Sequence, residues 1–263
     1  MTSIGFQKNI ENIVQLICDS HHIVTITGAG ISTPSGIPDF RSSKSGLWAK
    51  NDPMKVASLS AYNKNPGIVF DWLRPLVTGI QNAKPNPAHY ALADLEKQGF
   101  VKSIITQNID NFHQKAGSKC VIEIHGSLRT FHCPACKFII SSEDEAIINR
   151  YITEESIPIC PNCGSILKPD ITLYEEQLPL QAWEQAHREC LKADLILVIG
   201  TSLEVTPVNY LPQLAFSNGA KIIINTYSQT YLDPDAAIIL RDDVCEVWPV
   251  VVKEIENYGK YSS

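Results

Sequence analysis

The sequence predicts an α/β fold with a doubly wound, Rossmann-like parallel sheet. Short aliphatic and β-branched runs, typical of buried strands, alternate with segments of helical periodicity along the 263-residue chain. Glycine or polar residues follow most of these runs, at the strand ends where such sheets bind ligands. Two closely spaced pairs of cysteines interrupt the alternation, which indicates a smaller inserted module.

The strands are predicted from short runs bounded by turn-forming residues. They are expected at residues 23–27, 101–106, 121–126, 193–200, 221–225 and 236–240, with further extended chain at 168–176. The run at 193–200 is the most apolar, which suits the centre of a sheet that is covered on both faces.

Helices are predicted where apolar residues recur every three to four positions. They are expected at residues 6–20, 89–98 and 180–192, and after Cys245 through Val251. Residues 52–79 also have a helical pattern, which Pro66 and Pro75 are expected to cut into short pieces. Residues 84–87, K-P-N-P, are expected to form a loop.

Composition and charge argue against several classes of protein. The net charge of −6 argues against non-specific binding to nucleic acid. Because no run of eighteen apolar residues is present, no membrane partner is expected. The first residues lack the apolar core of a signal peptide, so we expect the eight cysteines to lie in a reducing, cytoplasmic location.

The first predicted strand leads directly into a glycine-rich loop, G-A-G-I-S. Such a loop lets the backbone approach a ligand closely and aims amide N–H groups at a pyrophosphate. An acid, an aromatic ring and a guanidinium follow on an irregular loop. The alternative is an ordinary strand–turn–helix with a charged surface loop, since short glycine motifs also occur by chance. The candidate cofactor-binding residues are Gly28, Ala29, Gly30, Ser32, Asp39, Phe40 and Arg41.

Further candidates stand at the ends of other predicted strands. The strand at 101–106 is followed by Q-N-I-D, whose polar groups suit a ribose and a carboxamide, although an Asx-rich turn is the alternative. The strand at 193–200 leads into G-T-S, and the strand at 221–225 ends in an asparagine suited to ribose hydroxyls. The candidates for cofactor binding are Gln107, Asn108, Ile109, Asp110, Gly200, Thr201, Ser202 and Asn225.

His125 is the candidate general base. It stands at the end of the predicted strand at 121–126, where Gly126 leaves backbone space beside its ring. An imidazole with an unperturbed pKa of about 6.5 suits proton transfer near neutrality. A single histidine is more often structural, but no other histidine has a comparable setting, apart from His132 directly before a cysteine.

Four cysteines form the pattern C-x₂-C-x₂₃-C-x₂-C. Two pairs of thiolates can close a tetrahedral shell, so the pattern predicts one structural zinc ion. Proline and glycine in or beside the pairs fit tight turns, and an E-D-E-A-I-I-N-R helix is expected between the pairs. A redox dithiol is the alternative, although it needs only one pair. The predicted ligands are Cys133, Cys136, Cys160 and Cys163.

In their order and spacing, these motifs resemble those of the sirtuins, the NAD-dependent protein lysine deacylases. The resemblance covers roughly residues 20 to 250. It rests on the cysteine pairs and on the stretch from Ile23 to Arg41, T-Q-N-I-D at 106–110, H-G at 125–126, K-P-D at 168–170, G-T-S-L-E-V at 200–205 and I-N at 224–225.

The resemblance implies that NAD is a co-substrate and that an acyl-lysine protein or peptide is the second substrate. The acyl-lysine carbonyl oxygen would replace nicotinamide on the ribose, and the products would be deacylated lysine, nicotinamide and acylated ADP-ribose. His125 would be the general base toward a ribose hydroxyl. Asn108 and Asp110 would hold ribose and nicotinamide as further catalytic residues, and Phe40 would shield the reactive carbon. Alignment of the reacting atoms would supply much of the acceleration.

The remaining cofactor contacts are also implied by the resemblance. Arg41 and Gln107 would assist around the ribose and the pyrophosphate. The residues on the far side of NAD would be Ser202, Asn225 and Val244. The chain would comprise an NAD-binding, Rossmann-like domain at residues 1–43, 88–128 and 171–263, a helical module at 44–87 and a zinc-binding module at 129–170.

By the same resemblance, the peptide would lie as an added strand between edges near residues 173–176 and 202–206. Glu175 replaces the glycine of a common F-G-E, and Leu173 replaces a common aromatic residue, which puts peptide and acyl preference in question. We expect Glu175 to favour basic residues beside the target lysine; the alternative is a carboxylate that points to water and touches nothing. Asn111 also stands where sirtuins often have glycine, and asparagine tolerates a positive φ there.

Two rival functions remain open at this point. One is an ADP-ribosyltransferase or NAD glycohydrolase that uses the same site. The other is a zinc-containing binding module that senses NAD. The sensor agrees less well with the sequence, because it has no use for His125 beside a ribose loop.

Overall fold

A six-stranded sheet lies at the centre of the structure, a computed structural model that describes residues 4–39, 46–49, 51–141, 150–154 and 156–261. Its strands are β1 (Ile23–Thr27), β2 (Val101–Thr106), β3 (Val121–Glu123), β7 (Leu195–Ile199), β8 (Lys221–Asn225) and β9 (Ile238–Leu240). Their order is β3-β2-β1-β7-β8-β9, and all neighbours are parallel. The direction of winding reverses between β1 and β7, which confirms the predicted doubly wound fold.

Helices cover both faces of this sheet. One face packs against α1 (Ile4–Asp19), α5 (Pro87–Lys97) and α9 (Val244–Tyr261), and the other against α7 (Leu180–Lys192) and α8 (Tyr210–Ser217). Strands β1 and β7 are buried along their whole length because alternate residues point into the two cores. Each fully buried aliphatic side chain contributes about 1.5–3 kcal/mol relative to an exposed one. Within the described part of the chain, no helix combines the length and the hydropathy of a membrane span.

The predicted element bounds agree with the structure best in this sheet. Strands β1, β2 and β8 and helix α7 have the predicted bounds, whereas β7 and β9 are shorter than predicted. Helix α5 begins earlier, at Pro87, because the Asn86 side chain accepts the Ala88 N–H at 3.0 Å and caps the helix. Helix α9 begins at Val244, where Asp243 accepts the Cys245 N–H at 2.8 Å, and it continues past the predicted end at residue 251.

Three further helices precede α5: α2 (Pro53–Val56), α3 (Leu59–Lys64) and α4 (Pro66–Asn82). Pro66 begins α4 as its first residue, in agreement with the predicted break. The predicted break at Pro75 is wrong, since α4 continues through it. Pro75 lies on the exposed side of the helix, so water can reach the carbonyl that loses its partner, while the buried face of Leu73 and Val77 holds the helix in place.

A smaller antiparallel sheet contains β4 (Gly126–His132), β5 (Ile139–Ser141) and β6 (Lys168–Ile171), in the order β5-β4-β6. It shares one apolar core with α4, in which Phe70 and Phe131 are both fully buried. The helix expected between the cysteine pairs falls almost entirely outside the described residues, which resume at 150 with a short helical stretch. A short helix, α6 (Phe112–Ala116), follows β2.

The predicted strand at 121–126 is too long. Strand β3 ends at Glu123, and His125 lies in the turn that connects it to β4. The turn requires Gly126, which has a φ of +73°, and a Cβ atom there would approach the Asp170 carbonyl oxygen to 2.1 Å. The chain thus leaves the parallel sheet for the small sheet at the candidate general base. Similarly, the extended chain predicted at 168–176 is a strand only as far as Ile171.

Candidate active site

The carboxyl ends of the parallel strands open into one cavity of about 1040 Å³. Ligand pockets usually occupy about 300–1,000 Å³, so this cavity has room for a dinucleotide and part of a second substrate. His125 lies on its wall. The predicted cofactor-binding residues on the same wall are Gly28, Ala29, Gly30, Asp39, Gln107, Asn108, Ile109, Gly200, Thr201, Ser202 and Val244. Phe40 and Arg41 lie outside the described residues.

The glycine loop packs directly against the loop that follows β7. The Gly30 N–H donates to the Gly200 carbonyl at 2.8 Å, and a Cβ atom on Gly30 would lie 2.7 Å from that oxygen. The Gly28 N–H similarly donates to the Ile199 carbonyl. These amides are therefore not available to a pyrophosphate, contrary to the simple picture of a glycine loop. The Ala29 N–H has no acceptor among the described residues, and it remains able to bind an anion.

Asn108, Ser32 and Asp110 form a buried hydrogen-bonded group behind this loop. Asn108 Nδ2 donates to the Gly28 carbonyl at 3.1 Å and to Ser32 Oγ at 3.2 Å, while the Ser32 hydroxyl donates to Asp110 Oδ2 at 2.6 Å. Burial raises the pKa of the Asp110 carboxyl, whereas hydrogen bonds from Ser32 and from the Phe112 amide oppose this rise. Ser32 and Asp110 line a small adjoining recess and not the main cavity. In this arrangement they orient the Asn108 amide.

One buried histidine, His89, contacts this group, and a second, His113, packs against the His89 ring; the sequence did not reveal either. His89 Nε2 lies 3.5 Å from Ser32 Oγ, and His113 Nε2 lies 3.0 Å from Thr27 Oγ1. Burial lowers the pKa of His89 to about 4 and the pKa of His113 well below its usual value, so both rings are neutral at pH 7. The sequence N-P-A-H at residues 86–89 could have identified His89 as a capping residue, because its Nδ1 accepts the Asn86 N–H at 3.3 Å and completes the N-terminal cap of α5.

The backbone carbonyl of Gln107 holds the His125 ring in place. Its Nδ1 atom lies 3.0 Å from the Gln107 carbonyl oxygen, which can only accept, so Nδ1 carries the proton and Nε2 is left as the base. Burial lowers the pKa of His125, and the hydrogen bond to Gln107 opposes this lowering. Because the half-buried ring is neutral near pH 7, it can accept a proton from a group in the cavity.

Asn111, three residues after Asn108, has the predicted positive φ of 62°.

Among the predicted cofactor-binding residues that the structure describes, Asn225 lines neither the main cavity nor the adjoining recess. It is fully buried below the cavity, and its Nδ2 donates to the Asp242 carbonyl at 2.9 Å. It thereby fixes the segment that brings Val244 to the wall. Sequence analysis missed five further wall residues that follow strands β8 and β9. Their position could have identified them, because ligands bind at the carboxyl ends of parallel strands. These residues are Thr226, Tyr227, Ser228, Asp242 and Asp243.

Two backbone segments complete the wall. One is at residues 171–178, and the other comprises residues 200–202 and 204–207. Trp72 and Trp183 also line it. Glu175, on the first segment, has a φ of 72°, and its Oε2 accepts the Ser60 N–H at 2.8 Å. The alternative in which the Glu175 carboxylate touches nothing is therefore wrong.

The four paired cysteines come together away from the cavity, which none of them lines. All four Sγ atoms lie within 4.8 Å of one another, with Cys133–Cys163 at 3.5 Å and Cys136–Cys160 at 3.6 Å. Tetrahedral zinc with Zn–S bonds of about 2.3 Å requires sulfur–sulfur distances of about 3.8 Å. The cluster therefore fits one structural zinc ion, and its four thiols would supply the complete shell.

The two cysteine pairs have the same backbone geometry. In the first, the Cys133 N–H donates to Phe138 and the Lys137 N–H to Cys133, and in the second pair Cys160 and Gly164 make the equivalent bonds. The residue after each pair has a positive φ, 64° at Lys137 and 75° at Gly164. The repetition indicates two matching knuckles that present their thiols to one ion.

The doubly wound sheet and the large cavity at its rim define a dinucleotide-binding α/β protein with His125 on the cavity wall. The model of the Sir2 family matches residues 28–207, and the chain belongs to this family. It is 43% identical over 224 residues to an NAD-dependent protein deacetylase of Oceanobacillus iheyensis, covering 85% of this chain and 91% of the relative. It is 37% identical over 248 residues to an NAD-dependent protein deacylase of Pyrococcus abyssi, covering 94% and 98%.

Solved structures of Sir2 proteins have the same fold. The crystal structure of a Sir2 homologue–NAD complex matches with a TM-score of 0.86 at 38% identity, over 94% of this chain and 94% of that one. A structure of Sir2 with a p53 peptide and NAD⁺ matches with a TM-score of 0.84 at 36% identity, over 93% and 98%.

Proposed function

We propose that this protein is an NAD-dependent protein lysine deacetylase, or more broadly a deacylase. It uses NAD as co-substrate, transfers the acyl group from lysine to ADP-ribose and releases nicotinamide. One water molecule is consumed, and the lysine amine is restored. Membership of the Sir2 family supports this function, as do the deacetylase and deacylase relatives that match nearly their whole length.

The observation that carries the proposal is His125 on the wall of the same cavity as the glycine loop. The Gln107 carbonyl fixes its tautomer, and burial keeps the ring neutral by lowering its pKa. A neutral, oriented imidazole can take the proton of a hydroxyl group, which is the step that a ribose attack on an acyl carbon requires. A protein that only sensed NAD would not need an oriented base there.

The residues proposed to hold NAD lie at the strand ends. The Ala29 N–H is available for a phosphate oxygen, and Asn108 Oδ1 is available to accept from a hydroxyl or a carboxamide N–H, because both Asn108 Nδ2 hydrogens are used within the protein. Gln107 Nε2 donates to Thr201 Oγ1 at 3.0 Å, which connects the ends of β2 and β7 across the intervening β1. Asp110 and Ser32 would act through Asn108, and Phe40 and Arg41 would act as the family resemblance implies.

The acyl-lysine peptide is proposed to lie between the two backbone segments of the wall, at 171–178 and 200–207. Such edges can pair with an extended peptide through main-chain hydrogen bonds, which gives affinity without demanding one particular sequence. The target lysine would then enter between them toward His125.

The domain division and the location are also proposals. We propose the NAD-binding domain at residues 1–43, 88–128 and 171–263, the helical module at 44–87 and the zinc-binding module at 129–170. A cytoplasmic location is supported by the eight cysteines, all among the described residues and none in a disulfide. The net charge of −6 supports a protein partner over nucleic acid, and we propose no membrane partner.

Product analysis tests the function directly. The purified protein is incubated with NAD and an acetyl-lysine peptide library, and all products are read by mass spectrometry, with a parallel reaction that lacks NAD. We expect deacetylated peptide, nicotinamide and acetyl-ADP-ribose in equal amounts, and no deacetylation without NAD. Nicotinamide with unchanged peptide would indicate a glycohydrolase, and ADP-ribose attached to peptide would indicate a transferase; either result overturns the proposal.

A further inference from the structure

A tight turn stands within the cavity wall at residues 173–176. The Glu176 N–H donates to the Leu173 carbonyl at 3.1 Å, which closes the turn. Glu175 is its third residue and has a φ of 72°, whereas Tyr174 has no positive φ, which is the pattern of a type II turn. Glycine is the preferred residue at that position, and a larger side chain is strained there. A glutamate at this position therefore needs a contact that offsets the strain.

The Glu175 carboxylate makes such a contact, because it accepts the Ser60 N–H at 2.8 Å. Ser60 is the second residue of α3, where backbone N–H groups lack partners within the helix. Hydrogen bonds from the Ser60 side chain and amide lower the pKa of the Glu175 carboxyl, so it is ionised at neutral pH. A bond to an ionised acceptor is stronger than one between neutral groups.

Neighbouring backbone bonds connect the same two segments. The Tyr174 N–H donates to the Ala57 carbonyl, and the Leu59 N–H donates to the Tyr174 carbonyl, both at 2.9 Å. Both main-chain groups of Tyr174 are therefore occupied by the chain between α2 and α3. Among the described residues, Tyr174 and the carboxylate of Glu175 make the hydrogen bonds that connect the wall at 173–176 to this side, where Leu173 shares an apolar core with Tyr62 of α3.

We propose that Glu175 is a positioning residue for the acyl-lysine peptide, because its bond to Ser60 anchors the cavity wall at 173–176 to helix α3. The inference rests on the proposed deacylase function. An anchored wall presents its edge in the binding conformation before the peptide arrives, which avoids the entropic cost of ordering that edge on binding. One oxygen of the carboxylate is used within the protein, so this role differs from the expectation from sequence that Glu175 selects the charge of residues beside the target lysine.

Three substitutions separate the anchor from the backbone strain. Glycine and asparagine both suit a positive φ, so Glu175→Gly and Glu175→Asn relieve the strain. Both remove the bond to Ser60, because glycine has no side chain and asparagine is one methylene group shorter than glutamate. Glu175→Gln keeps the reach and offers a neutral acceptor in place of the carboxylate. Asp52→Ala is the matched control, because Asp52 accepts the Met54 N–H at 3.0 Å and caps the neighbouring helix α2 without lining the cavity.

We expect Glu175→Gly and Glu175→Asn to raise the peptide KM about five-fold, equivalent to about 1 kcal/mol. Their kcat and NAD KM should stay unchanged, because the glycine loop and His125 lie on other elements. Glu175→Gln should stay within about two-fold of wild type, and Asp52→Ala should keep the wild-type KM. The melting temperatures of the Gly and Asn variants should not fall, because relief of strain offsets the lost bond.

Two kinetic results would overturn the inference. One is an unchanged peptide KM in Glu175→Gly. The other is a change in peptide KM from wild type to Glu175→Gly, measured at low salt, that differs between peptides with Arg and peptides with Glu beside the acetyl-lysine. Such a difference would mean that the carboxylate faces the peptide.

Hydrogen exchange makes the anchor testable even if no deacylation is found in the wild type, a result that would count against the proposed function alone. Amides 57–60 and 173–176 should exchange faster in substrate-free Glu175→Gly than in wild type. Equal exchange rates would overturn the anchor itself.

Discussion

The rim of the parallel sheet and the four-cysteine cluster are held together in different ways. At the rim, Asn108, Ser32 and Asp110 satisfy one another through hydrogen bonds of 2.6 to 3.2 Å. In the cluster, four thiols converge within 4.8 Å and need a metal ion to hold them as thiolates. Individual chemical groups at the rim can therefore be removed while the fold persists, whereas removal of a ligand from the cluster also removes part of what stabilises the fold.

Loss of zinc should have the largest effect. Structural zinc binds zinc-finger peptides with apparent free energies of about 10–16 kcal/mol, and this energy is coupled to folding. Cys160→Ser should therefore release the ion and lower the melting temperature, as should a strong chelator applied to wild type. Metal analysis and thermal melting measure both effects, with Cys120→Ser, an exposed cysteine outside the cluster, as the control that keeps its zinc. Purified wild type without zinc would contradict the assignment.

The second largest effect should come from His125→Ala, which should affect activity and spare stability. Loss of a general base typically lowers the rate by about 10² to 10⁴, or roughly 3–5 kcal/mol. NAD binding by calorimetry and the melting temperature should stay near wild type, because the ring is half-buried and makes one hydrogen bond to backbone. His21→Ala changes an exposed histidine away from the cavity and should retain full turnover. Full turnover by His125→Ala would rule out its role as base.

The pH dependence of kcat/KM should report the same base with a smaller effect. Burial lowers the pKa of His125, so its neutral, active form persists below pH 6.5. Activity should fall only as the pH drops through this lowered pKa, by about ten-fold per pH unit below it. The acid limb measured in the free enzyme should therefore have its midpoint below 6.5. A midpoint above 6.5 would mean that burial does not govern this group.

The smallest effect should appear within the zinc module, where the two knuckles have different residues, Lys137 and Gly164, at the position of positive φ. Gly164 has a φ of 75°, and a Cβ atom added there would meet open space, so Gly164→Ala changes only the backbone preference. A left-handed conformation costs an L-residue about 1–2 kcal/mol, and the free energy of unfolding should fall by that amount. At Lys137, where a side chain is already present at a φ of 64°, Lys137→Ala should change it by less than about 0.5 kcal/mol. Equal losses would contradict the assignment of the loss at Gly164 to its left-handed backbone conformation.

Some features of this protein are determined by short stretches of sequence. The bounds of β1, β2 and β8 follow from runs of apolar residues between turn signals, because each strand is buried on both faces. The positive φ of Asn111 and the approach of the two thiols within each cysteine pair are also local properties. The carboxyl ends of parallel strands share one edge, so the strand order alone brings G-A-G, Q-N-I-D and G-T-S together.

Other features depend on contacts between residues that are distant in sequence, and these only the tertiary structure decided. Helix α4 continues through Pro75 because its buried face packs against the small sheet, and the chain turns at His125 because Gly126 meets Asp170. The position of Asn225 below the cavity depends on its bond to Asp242. Glu175 finds Ser60 across 115 positions of chain, so its local sequence could suggest a free carboxylate but not its partner. Tertiary packing decides these conformations because each is stabilised by a contact with a partner residue, and that partner is distant in sequence.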